Sequence, residues 1–158
     1  MSVVSIYWWP FVAAVLHIFE EFVFPGGFAA WDRKYRPEIA ASITPRLHIV
    51  VNGLLLLAAL GVAIDTPNEY VVAAWLTIAA LTGSNAVWHV LGVFRTRSYS
   101  PGVITGVLFY LPMMFYGFPY FIRTGQASMG TAFAAFAIGA SYHWWARGMH
   151  LLRSGRQA

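Results

Sequence analysis

Four stretches of the chain place imidazole, carboxylate or carboxamide groups at helical spacing inside otherwise apolar sequence. In the first, His17, Glu20 and Glu21 stand at i, i+3 and i+4. At about 100° per residue both carboxylates lie within about 60° of the histidine's direction, so one helix face presents all three. His48 and Asn52 stand at i and i+4, as do Asn85 and His89, and His143, Arg147 and His150 follow at i, i+4 and i+7. A charged group at the centre of a bilayer costs about 2.5–3.5 kcal/mol on insertion scales, so each of these side chains needs a partner. Two carboxylates and several imidazoles, in a chain without cysteine, suit a divalent metal, zinc or iron. Helical His and Glu residues three apart are how bundle cores hold such ions, and the ion neutralises carboxylates that would otherwise take up protons. The expected metal ligands are His17, Glu20, Glu21, His89 and His143. Glu20 and Glu21 are also the expected catalytic pair, one binding the ion and the other acting as general base or bridging ligand. Asn85, His48 and Asn52 are expected to orient the imidazoles or to join the site. Arg147 and His150 read as interfacial residues.

Those groups sit in a chain of 158 residues that is 59% hydrophobic, 17% aromatic and only 10% charged. Ordinary soluble domains carry about 25% charged residues, so the composition is that of an integral membrane protein and excludes a large soluble domain. Five apolar stretches, at about 4–24, 46–64, 70–94, 101–122 and 128–152, each approach the length of a span. The expected fold is all-α, a single multi-pass transmembrane bundle of five helices over residues 1–158. The first stretch does not read as a cleaved signal peptide, because no Lys or Arg precedes it and His17, Glu20 and Glu21 interrupt it. Residues 25–46 form the only substantial loop, with a helix restarting near Pro45. Pro112 and Pro119 are placed to kink the fourth span.

Alternating connections put Arg33, Lys34, Arg36, Arg46, Arg95, Arg97, Arg147, Arg153 and Arg156 on one side and Arg123 alone on the other. That excess marks the cytoplasmic face, which places the amino terminus outside and the carboxyl terminus in the cytoplasm, in the cell inner membrane. The net charge of +4 is therefore a topology signal, and no nucleic-acid partner is expected. At 1.5 Å per residue, His17, Asn52, His89 and His143 stand about 8–13 Å above the inner ends of their helices. One site in the cytoplasmic half of the bundle accounts for that shared depth.

The segments His17-Ile18-Phe19-Glu20-Glu21 and Asn85-Ala86-Val87-Trp88-His89, in that order in a small multi-span chain, resemble the HXXEE family of small bacterial integral membrane proteins. The resemblance implies a site at these motif residues in a membrane protein suspected to be an enzyme, and it names no reaction. The leading expectation is a membrane-embedded metal-dependent enzyme, a hydrolase or an oxidoreductase, acting on a lipid or other apolar small molecule that arrives from the bilayer. Two alternatives use the same polar layer. One is a metal-free acid/base isomerase in which Glu20 and a nearby histidine exchange protons with substrate. The other is a proton- or cation-coupled binding or transport protein, for which a five-helix chain would need to form a homo-oligomer or be unusually compact. A small subunit of a larger membrane complex would present the same apolar exterior.

Overall fold

The computed structural model describes the backbone of residues 3–155 and the side chains of residues 6–153, so Arg156 of the charge count lies outside them. The elements are α1 (Val3–Phe22), α2 (Phe28–Tyr35), a 3-10 turn (Pro37–Ser42), α3 (Pro45–Ile64), α4 (Glu69–Thr96), α5 (Val103–Arg123), α6 (Met129–Ala140) and α7 (Tyr142–Gly155). No strand occurs among the described residues.

Local chemistry sets the helix starts. Pro45 occupies the first turn of α3, where its missing N–H costs nothing, and the Thr44 side chain accepts from Leu47 N. The Asn68 carboxamide accepts from the Tyr70 and Val71 amides and so opens α4. Helix α4 is the hub, packed by α3, α5 and α6. Its Trp75 is fully buried, donates from Nε1 to Ile6 O at 2.9 Å and meets the Phe121 ring at 5.0 Å. Gly139 lets α6 close onto α4, since a Cβ there would stand 2.4 Å from Thr77 O. Outside this core, Ile49, Phe94, Phe115 and Phe133 are exposed, an exterior suited to lipid.

Three helices, α3, α4 and α5, are long and apolar enough to cross a membrane, rather than the five expected. The fifth expected stretch, 128–152, is interrupted at Ser141. There the Ser141 hydroxyl bonds back to Ile138 O at 2.8 Å, a contact that bends helices. Beyond it α7 is rich in polar and aromatic side chains, and it seats on the 3-10 turn through Ser42 Oγ to His150 Nδ1 at 2.6 Å and Arg147 to Glu38 at 3.7 Å. Helix α1, the first expected stretch, has described side chains only from Ile6 and is not among the three.

The stretch expected to be a loop is folded too. Helix α2 buries Phe28, Trp31 and Asp32, and Arg36 clasps the Asp32 carboxylate with Nε and Nη2 at 2.7 and 2.6 Å. Within α5, residues Gly106–Tyr110 form a π-helical turn just before Pro112. Proline has no N–H to give and its ring crowds the carbonyl four residues back, so the turn widens there. That widened turn delivers Tyr110 onto the His17 ring, with centroids 4.5 Å apart.

Candidate functional site

Helix α1, helix α4 and the start of α5 converge on His17, Glu21 and His89, which are 3%, 4% and 0% exposed. A ring nitrogen of each histidine and a Glu21 oxygen all lie within 4.8 Å of one another. Glu21 Oε1 stands 3.4 Å from His17 Nε2 and 3.3 Å from His89 Nε2. Ligands about 2.0–2.1 Å from a tetrahedral ion stand about 3.3 Å apart along each edge, so both contacts have the length of such an edge. His89 Nε2 is buried, and its polar neighbour is Glu21 Oε1 at 3.3 Å. A carboxylate oxygen beside two imidazole nitrogens is a donor set that suits a shared ion.

The remaining ring nitrogens are held from outside the group. His89 Nδ1 meets Ser100 Oγ at 2.8 Å, and His17 Nδ1 meets Thr105 Oγ1 at 3.0 Å. Such outer partners fix the orientation of metal-binding imidazoles. Asn85 Nδ2 stands 3.2 Å from His17 Nε2. The floor of the group is Gly102, whose φ of 99° suits glycine. A Cβ there would fall 2.8 and 2.9 Å from the Cε1 atoms of His17 and His89.

Glu20 is not brought into this group. Its carboxylate accepts from Ile104 N at 3.1 Å, from Thr105 N at 2.7 Å, and from the Tyr99 and Thr105 hydroxyls. It caps the start of α5, where helix amides lack partners, and its lone pairs are used there. Partial burial and the adjoining Glu20 carboxylate hold the Tyr99 phenol above its usual range, so it remains a donor.

His143 and His48 also stand apart from the group. Trp88 lies between His89 and His143, with centroids at 5.1 and 5.8 Å, and Phe28 lies between His89 and His48, 5.5 Å from each. Arg36 sits 4.7 Å over the Trp88 ring. His17, Glu21, His48, Asn52, Asn85 and His143 all line one cavity of about 590 Å³, walled by α1 to α4 and α7 with Tyr110 of α5, whereas Glu20 and His89 are not among its lining residues.

Sequence reasoning missed Ser100, Gly102, Thr105 and Tyr110. The polar run Ser98–Ser100 before Pro101 signals a helix start, yet no spacing tells that Thr105 meets Glu20 from 85 residues away. Tyr110 is 1% exposed with an unpartnered hydroxyl, a feature visible only once the π turn is known.

Fold and site together define a helical protein with membrane-length helices and a buried His/Glu group opening on a cavity. The chain belongs to the family described as proteins of unknown function with an HXXEE motif, whose model matches residues 8–117. The matched region contains His17, Glu20, Glu21, His89 and Thr105 and ends before His143. No curated protein and no solved structure matches the chain.

Proposed function

We propose that the chain is a membrane-embedded enzyme in which His17, Glu21 and His89 hold a divalent zinc or iron ion beside a cavity that admits an apolar small molecule. The observation that carries this reading is the convergence of three buried ligand atoms within 4.8 Å, one of them the unpartnered His89 Nε2. Two histidines and one carboxylate are a donor set of both zinc hydrolases and iron oxygenases. An ion held by His17, Glu21 and His89 would supply Lewis acidity.

The chain's own residues do the rest. Ser100 and Thr105 orient the imidazoles, and Phe28 and Trp88 pack against the His89 ring. The cavity's volume lies within the range of about 300–1,000 Å³ of small-molecule pockets. Val51, Leu54, Leu55, Ile78 and Leu81 give it apolar walls. Its polar lining includes the Arg36 guanidinium, already committed to Asp32, the carboxamides of Asn52 and Asn85, the rings of His48, His143 and His150, and Arg153. The carboxamides and rings suit a substrate with an oxygen function, such as an ester, alcohol or ketone of a lipid. We place the amino terminus outside and the carboxyl terminus in the cytoplasm, in the cell inner membrane, with α1 crossing before α3 and with α6 and α7 returning the chain inward.

Elemental analysis of the detergent-purified protein tests the reading. One equivalent of zinc or iron is expected, falling below a tenth in His17→Ala. A folded, metal-free wild type would overturn it in favour of acid/base isomerisation, a second reading supported by the Asn85 amide that already occupies His17 Nε2.

A further inference from the structure

We propose that Glu20 acts on the site at one remove, through the Thr105 hydroxyl, by fixing which nitrogen of His17 carries the proton. The Thr105 hydroxyl has one proton to give and two lone pairs. Three groups compete for it: a Glu20 oxygen in short contact, Gly102 O at 3.4 Å and His17 Nδ1 at 3.0 Å. The carboxylate is the strongest and closest acceptor, so the proton goes to Glu20. Oγ1 then faces His17 only as an acceptor, and His17 Nδ1 must bring the hydrogen. In a neutral ring that leaves Nε2 with a bare lone pair.

A contact on the opposite side of the ring agrees. Asn85 Nδ2 is a donor, and its 3.2 Å approach to Nε2 requires a lone pair there. Glu21 Oε1 stands 3.4 Å from the same nitrogen and pulls the other way, toward a hydrogen on Nε2, so the tautomer is decided between this contact and those of Thr105 and Asn85. The Tyr110 ring packed on the imidazole resists the ring flip that would exchange the two nitrogens. The arrangement is the carboxylate–histidine pairing common behind metal ligands, with a hydroxyl inserted between its two members. It also explains why the motif holds two adjacent glutamates. Neighbours on a helix point about 100° apart, so Glu21 turns to the ligand group while Glu20 turns to the start of α5.

Glu20 and Thr105 are thus positioning residues, and the inference rests on the proposed metal site only in its second readout. The first readout is the protonation of His17 in the full-length, chelator-treated protein, labelled with 15N-histidine and assigned by the signal lost in His17→Gln. The expected spectrum has hydrogen on Nδ1 and a bare Nε2. Thr105→Val should release the ring to a mixture or to the opposite tautomer and weaken zinc binding about ten- to a hundredfold. Thr105→Ser should restore both. A wild-type His17 carrying its hydrogen on Nε2 would overturn the proposal, as would a Thr105→Val protein that keeps the wild-type tautomer. If Thr105→Val does not fold, the wild-type spectrum alone decides. Hydrogen on Nδ1 in a protein that binds no zinc would sink the metal site and leave the relay standing.

Discussion

Two neighbouring glutamates with the same chemistry receive opposite tasks here because a helix turns between them. Glu21 faces two imidazoles and Glu20 faces two backbone amides and two hydroxyls. Substitutions should separate the tasks. Glu21→Gln and His89→Ala are expected to lose bound metal as His17→Ala does, whereas His48→Ala and His143→Ala, each a ring away from His89, should keep full stoichiometry on elemental analysis. Gly102→Ala should act on both imidazoles at once. It imposes a left-handed backbone on a residue with a Cβ, at about 1 kcal/mol, and drives that Cβ between the two Cε1 atoms. A lower melting temperature together with lost metal is the expected result; wild-type metal content would contradict the packing described. At this scale the sequence disclosed His17, Glu21 and His89 through spacing and the cost of burying them. It could not disclose Glu20's partners, which arrive from the far end of α4 and the start of α5.

Among the elements, α2 was the least legible. Gly26, Gly27 and Pro37 punctuate its neighbourhood as they would a loop, and only tertiary contact buries Phe28, Trp31 and Asp32. The Asp32–Arg36 pair holds this helix beneath Trp88 at the polar end of the cavity. Removing one partner of a buried pair costs about 3–5 kcal/mol, and the partly exposed guanidinium recovers some of that from water. Asp32→Asn should therefore destabilise the protein by about 2–3 kcal/mol, read as a shifted unfolding transition in detergent. An unshifted transition would mean that α2 is not docked as described. The long helices were legible because length and hydropathy are properties of the local sequence, and Pro45 and Asn68 announce their starts. The break at Ser141 and the π turn at Gly106–Tyr110 were not, since each depends on a hydroxyl or proline acting on one particular carbonyl.

For the molecule as a whole, the nine-to-one division of Lys and Arg sets the orientation we propose. A maleimide unable to cross membranes should label Asp65→Cys in intact cells and Lys34→Cys only after lysis; the reverse pattern would invert the protein. Orientation also decides where the cavity sits, because His17 and His89, on helices running in the same direction, meet at a single level, their rings 5.2 Å apart. That meeting is what the common depth of the two motifs anticipated, and it is the ground for the central claim of a metal held by His17, Glu21 and His89. X-ray absorption at the zinc edge of the zinc-loaded protein tests that claim most directly. Two imidazole nitrogens about 2.0–2.1 Å from the ion with oxygen completing the set are expected, and loss of one imidazole in His89→Ala. A shell of oxygen alone, unchanged by that substitution, would contradict it.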